Sequence, residues 1–199
     1  MIHFRHPDRL FHIFSLKHIR EGEYLSQTKY DGHYAVIVKD DNKVKVLSRH
    51  DKPLPVSPKM LASLESIGME NGDVLHGEWT SRRESNKTES MYLFNMVFMR
   101  YEWIGAVAEE ERFKRLQDFK LNEDVLIVES RPGGYADHYR STIDDWKTEG
   151  IVLKNKTTKF FGDLRTPKDN PGYFKLKWRE GSDGRSKRII PDSDLVTRA

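Results

Sequence analysis

YLSQTKYDGHYAVIVKDDNKVKVLSR, residues Tyr24–Arg49, is the stretch on which the reading of the fold turns. Its runs Tyr24–Tyr30, Tyr34–Lys39 and Lys43–Ser48 have the length and composition of short strands. Asp40-Asp41-Asn42 makes a hairpin turn between the last two, because short Asp and Asn side chains tolerate turn backbones and bond to them locally. Further strands are expected at Val74–Trp79, Met91–Met99, Val125–Val128, Gly150–Lys154 and Tyr173–Trp178. Ser57 is placed to cap a helix running to about Ile67, and further helices are expected over Val107–Phe119 and Asp137–Lys147, with a short one near Leu16–Arg20. Ser81–Ser90 reads as a polar loop and Pro132-Gly133-Gly134 as a turn. The class is α+β, with antiparallel sheets packed against helices.

The 199 residues are 37% hydrophobic and 33% charged, enough to bury a core under a polar surface. No apolar run approaches the roughly 20 residues that cross a bilayer, and Met1–His6 carries no apolar leader. The absence of cysteine excludes disulfides, zinc–thiolate sites and thiol catalysis. An intracellular setting, in a cytoplasm or a host cytoplasm, is the expectation, with no membrane partner. The formal charge is only +3, but it is unevenly placed: Lys154–Lys159 and Lys175–Arg188 are basic, Glu109–Glu111 and Asp144-Asp145 acidic. A polyanion-binding face and an ordinary solvated surface account for this equally well. One domain over residues 1–178, then a basic tail over 179–199 with little structure of its own, is the expected organisation. His3, His6, His12 and His18 cluster, but at spacings that match no metal site.

Short patterns that carry chemistry occur in order along the chain. Lys29-Tyr30-Asp31-Gly32 puts an amine at a strand end before a residue that lets the backbone turn tightly. An amine attacks phosphorus only when neutral and held in line, which a strand end near other cations or a metal favours. Alone, the pattern would arise by chance in roughly one chain in twenty of this length. Arg49, after Ser48, could make a bidentate phosphate contact. Glu78 in His76-Gly77-Glu78 could accept from ribose hydroxyls, and Phe94 in Tyr92–Met96 could stack on a purine. Glu149 opens the run Glu149–Lys154 and offers a hard oxygen to Mg²⁺. Lys175 and Lys177, two apart in a strand, share a face, which is costly unless an anion such as a triphosphate lies against them. Each of these residues, taken singly, is equally at home in a core or on a solvated surface. The loop cations Arg82, Arg83 and Lys87 could track a phosphate backbone.

The ordered series KYDG, SR, HGE, YLFNM, EGIVLK and KLK, spanning Lys29 to Lys177, resembles the motif set of the covalent nucleotidyltransferases. These are the ATP-dependent DNA ligases, RNA ligases and mRNA capping enzymes. The resemblance implies an ATP-grasp-like nucleotidyltransferase (adenylation) domain using ATP and Mg²⁺ on nucleic acid. Lys29 would carry AMP, Arg49 would contact a phosphate, Glu78 the ribose and Phe94 the base. Glu149 would support the metal, and Lys175 and Lys177 would hold the α-phosphate and help expel pyrophosphate. Gln27 falls where a Glu often lies near the adenine amino group, and Asp31 where an acidic residue serves the later steps. Gly162-Asp163-Leu164-Arg165, with the wording of the other motifs, is closer to DNA ligases than to RNA ligases, so nicked duplex DNA is the expected substrate. RNA ligase, capping-type guanylyltransferase and a binding module without efficient sealing are the alternatives. Tyr34 stands where DNA ligases usually have Arg, and Asn95 where an Asp is common. Only 22 residues follow Lys177, too few for the OB-fold domain of most relatives, so pyrophosphate release is expected to rely on this domain alone, on a partner or on the basic tail (Arg179, Arg185, Lys187, Arg188).

Overall fold

The structure, a computed structural model, describes residues 6–81, 89–162, 166–180 and 186–198. In chain order the strands and helices are β1 (Arg9–His12), β2 (Tyr24–Tyr30), β3 (His33–Asp40), β4 (Lys43–Ser48), α1 (Pro58–Ser66), β5 (Val74–Ser81), β6 (Glu89–Met99), β7 (Glu102–Trp103), α2 (Glu109–Lys114), β8 (Val125–Ile127), β9 (Ser130–Arg131), α3 (Tyr135–Thr142), β10 (Thr148–Asn155), β11 (Asp169–Lys177), β12 (Arg179–Glu180) and β13 (Ser186–Lys187). The class is α+β. Contacts divide the chain into two compact units, the first built on residues 1–8, 32–128 and 159–168, the second on 9–31, 129–158 and 169–199. Among the described residues no helix is long and apolar enough to cross a membrane.

The first unit holds a six-stranded sheet, ordered β4-β3-β5-β6-β7 with β8 on β6. Asp41 and Asn42 both take left-handed backbone angles, as a two-residue hairpin loop between antiparallel strands demands. Ser57 caps α1 by accepting from the Met60 N–H at 3.1 Å, with Pro58 in the first turn. Val36, Ile37, Leu75, Met91 and Leu93 form the sheet's contribution to the core, joined by Met60 and Leu64 of α1. The helix expected over Val107–Phe119 is shorter: α2 ends at Lys114 and continues as a 3-10 turn over Arg115–Asp118. Arg82, Arg83 and Lys87 lie outside the described residues, as do Asp163, Leu164 and Arg165.

The second unit is a five-stranded sheet, ordered β1-β11-β10-β2-β9, with α3 against β10 and β2. Pairing is antiparallel except for β1, which runs parallel to β11 at the sheet's edge. Ile151, Leu153, Leu176, Trp178, Tyr135, Tyr139, Leu16 and Ile19 form its core. Three sequence expectations change here. Leu16–Arg20 makes a turn rather than a helix, and the strand in that lead-in is β1. Helix α3 covers Tyr135–Thr142 instead of 137–147, because Ile143 takes an extended backbone and Asp144 then a left-handed one, which ends the helical path. The described residues after 178 carry structure of their own: β12 pairs with β13, and Ile190 and Leu195 are buried in the core. Burying two such side chains contributes on the order of 3–6 kcal/mol, enough to hold the segment down.

Candidate active site

Strand register assembles the lysines of the second unit. Gly150 on β10 lies opposite Lys29 of β2 on one side and Lys177 of β11 on the other. One row further, Val152 lies between Gln27 and Lys175, and Lys175 is next to His12 of β1. Directly opposed residues share a face, and so do residues two apart. Gln27, Lys29, Lys175 and Lys177 therefore stand on one face of this sheet. Ser26, Thr28, Ile151, Leu153 and Leu176 alternate onto the other, where α3 covers them.

Glu149 joins that cluster through a break in the ladder. Thr148 pairs with Tyr30 and Gly150 with Lys29, so two steps on β10 oppose one on β2. Glu149 is the extra residue of this bulge, a device that re-aims a side chain. Its carboxylate accepts from both Lys29 and Lys177. The side chain is 12% exposed, and the two lysines 22% and 24%. Burial alone would raise the Glu149 pKa, but the charge of Lys29 and hydrogen bonds from Lys177 and Lys29 outweigh it, and the carboxyl titrates below its ordinary value. Gly150 makes the bulge possible. Its φ is +141°, and a Cβ there would lie 2.0 Å from the Leu176 carbonyl oxygen.

Behind Lys29, on the α3 side, His138 is fully buried. Its Nδ1 meets Ser26 Oγ at 2.7 Å and its Nε2 meets Thr28 Oγ1 at 2.9 Å, pinning the strand that carries the lysine. Burial, helped by the nearby Arg131 charge and opposed by Glu129, pushes its pKa down to about 4, so the ring is neutral at pH 7. The buried Gln27 side chain has an amide nitrogen with no hydrogen-bond partner. Asp31 pairs with Arg179 at 2.8 Å, which gives that cation of the expected tail a fixed place.

The remaining expected residues lie in the first unit. Tyr34 and Glu78 are opposite each other on β3 and β5, and Glu78 Oε1 accepts from the Gly32 N–H at 3.1 Å. The chain bends at Asp31-Gly32, as expected, and Gly32 also serves a close approach: a Cβ would meet the Trp79 carbonyl oxygen at 2.5 Å. Tyr34 OH is 2.7 Å from His76 Nδ1, and its ring makes a T-shaped contact with Phe94 at a centroid distance of 5.5 Å. Burial, then the charges of Asp8 and Glu78, push the Tyr34 phenol well above its ordinary pKa, with exposed Arg49 opposing them. Tyr34 is thus a neutral hydrogen-bonding group. Asn95 accepts from the buried Arg112, whose charge is matched by Glu109, so the amide stands in a filled network. The Tyr34–His76 pair, the Glu149 bulge and the His138 clamp were missed from sequence. Only His76 carried a signal, as the first residue of the HGE pattern.

Solved structures to which this chain is similar include ligases. A mycobacterial DNA ligase D complexed with ATP and MES matches with a TM-score of 0.66 at 14% identity, over 87% of this chain and 61% of that one. The ligase domain of M. tuberculosis LigD matches with a TM-score of 0.66 at 14% identity, over 86% and 60%. The fold is that of the ATP-dependent ligase nucleotidyltransferase domain. An archaeal ATP-dependent RNA ligase shares this nucleotidyltransferase fold, with a TM-score of 0.59 at 15% identity over 87% of this chain and 48% of that one. The chain spans about three fifths of the two DNA ligases' solved length. No protein-family model and no curated sequence matches the chain.

Proposed function

We propose that this chain is an ATP-dependent polynucleotide ligase that loads AMP onto Lys29 and seals 5′-phosphate/3′-hydroxyl nicks, with duplex DNA as its substrate. The observation that carries the reading is Glu149, bulged out of β10 between the ammonium groups of Lys29 and Lys177. A nucleophile, a carboxylate and a second cation on one sheet face make the arrangement needed to receive a polyphosphate. In the first step the Lys29 ammonium releases a proton to solvent, and the neutral amine forms a bond to the α-phosphorus of ATP while the bond from that phosphorus to pyrophosphate breaks and pyrophosphate leaves. Lys177 and Lys175 would neutralise the phosphate oxygens as this happens. AMP would then pass to a 5′-phosphate, and a 3′-hydroxyl would displace it.

Gln27 would meet the base with the amide end that lacks a partner, since buried polar groups are seldom left unpaired. Turned over, the same amide presents a carbonyl to an adenine amino group. Glu78 would serve the ribose, Phe94 the base and Arg49 a phosphate. Asp31, held by Arg179, would serve the later steps. Mg²⁺ typically binds through one or two carboxylates together with substrate phosphates and water, and Glu149 supplies such a carboxylate. Among the described residues no three acidic or histidine side chains gather into a cage. The donor set therefore suits an ion that arrives with the nucleotide, and when bound it would screen the phosphate charge.

RNA sealing is the second reading. It is favoured by Tyr34, a neutral group hydrogen-bonded to His76 where a DNA ligase usually has a cation. Incubation with α-labelled ATP or GTP, followed by nicked DNA and nicked RNA duplexes, tests both readings. Covalent label from ATP and sealed DNA are expected. Label from GTP alone, or sealing of RNA alone, overturns the corresponding part.

A further inference from the structure

Ser130 carries none of the roles above, yet its place in the second unit sets it beside the lysine cluster. On β9 it lies directly opposite Gln27 of β2, and so shares the sheet face that carries Lys29, Lys175 and Lys177. Arg131, the next residue, shows the alternation: it lies opposite Ser26 and turns to the α3 side, where its Nη2 reaches Ser141 Oγ at 3.4 Å. Each member of the Gln27–Ser130 pair has a polar atom left over. Gln27 Nε2 and Ser130 Oγ are buried and have no hydrogen-bond partner among the described residues. A buried polar atom without a partner is rare in a folded chain, and two of them on paired strands point to one shared ligand.

Their position says which part of a nucleotide they suit. Lys29, Lys175 and Lys177 lie on β2 and β11, whereas Ser130 extends the same face to β9, at the opposite edge of the sheet from β1. Val152, half-buried, stands between Gln27 and Lys175 in their row. Phosphates belong with the ammonium groups, and an uncharged amide and hydroxyl belong with the uncharged base. Position 6 of a purine asks for two partners, because the adenine amino group has two N–H donors and the guanine oxygen two lone pairs. A single Gln amide meets one of them together with the adjacent ring nitrogen. A hydroxyl beside it meets the second.

We infer that Ser130 is a specificity-determining residue which, with Gln27, reads the substituent at position 6 of the purine base of the nucleotide delivered to Lys29. The inference rests on the ligase reading for the ligand and names the base contact within it. The adenine amino group donates one N–H to the Gln27 carbonyl and the other to Ser130 Oγ, while Gln27 Nε2 donates to the ring nitrogen. Because amide and hydroxyl can both reverse, the pair demands a substituent at position 6 and accepts either kind. The test compares ATP with purine riboside triphosphate, which lacks the amino group. Affinity of the whole chain is read by calorimetry with metal withheld, and labelling of Lys29 is measured with Mg²⁺ on the same preparations. Ser130→Ala is expected to lose about tenfold in affinity for ATP and less than twofold for purine riboside triphosphate. Ser130→Thr keeps the hydroxyl on a strand that tolerates it, and restores most of the loss. Equal losses with both nucleotides, or wild-type ATP affinity in a folded Ser130→Ala, overturn the inference. Label on Lys29 without a base-dependent Ser130 effect removes this contact and leaves the ligase reading standing. A base-dependent Ser130 effect on affinity without label keeps the contact and removes that reading, and binding of neither nucleotide removes both.

Discussion

The lysine face of the second unit and the Tyr34 cluster of the first solve opposite problems. The first gathers like charges and balances them: Lys29 and Lys177 share one carboxylate, delivered by a bulge that only Gly150 permits. The second gathers neutral groups: Tyr34 bonds His76 and packs in a T-shaped contact with Phe94. A charged cluster is held by backbone geometry and responds steeply to its loss. A neutral one is held by packing and loses a single hydrogen bond at a time.

The comparison is easiest to break at Gly150. Gly150→Ala puts a methyl 2.0 Å from the Leu176 carbonyl oxygen at a backbone angle that side chains rarely adopt. Nucleotide loading is expected to be lost and stability to fall by about 3 kcal/mol or more, read by denaturant unfolding. Loading at the wild-type rate would show that the bulge does not aim Glu149. Next comes Glu149→Gln, which keeps the shape but leaves two ammonium groups without their counter-charge. Loading should slow by about a hundredfold in single-turnover labelling, a loss typical of removing one preorganised electrostatic partner. A change under threefold would detach Glu149 from the chemistry.

The pH response should also come from the second unit. His138 is neutral in the fold, with a pKa of about 4 against 6.5 for the ordinary side chain. The unfolded chain therefore takes up a proton that the folded one refuses, and stability falls as pH drops from 6.5 through 4, by about 3 kcal/mol in all. Glu149 adds to this at lower pH, because its lowered pKa contributes stability above the ordinary carboxylate range that is lost as pH falls below it. His138→Phe should flatten the first of these two losses in acid unfolding curves, and an unchanged slope would count against the buried neutral ring. The smallest effect is expected in the first unit. Tyr34→Phe leaves His76 Nδ1 without its phenol partner and costs about 1–2 kcal/mol, with loading changed by less than threefold.

What was legible in the sequence divides along the same line. Lys29, Glu149 and Lys177 are singled out by the ordered motif series rather than by any one pattern, and the structure brings their side chains together; strand alternation puts Lys175 and Lys177 on one face, as the register has them. The bulge could not be read, since a one-residue shift in pairing depends on the partner strands β2 and β11 rather than on β10 itself. Gly32 was visible as a glycine, but its reason, contact with the Trp79 carbonyl, lies 47 residues away. The stretch after 178 looked loose because its many charges and glycines hide two apolar anchors, Ile190 and Leu195. Asn95 looked like a lost charge, yet its partner Arg112 already has Glu109.

The central claim is a covalent nucleotide on one lysine. The direct measurement is to incubate the chain with α-labelled ATP and Mg²⁺, isolate acid-labile label on a denaturing gel, and map the modified peptide by mass. The account predicts one AMP on the peptide containing Lys29, and none in Lys29→Ala. Label mapped to another residue, or retained in Lys29→Ala, would contradict it.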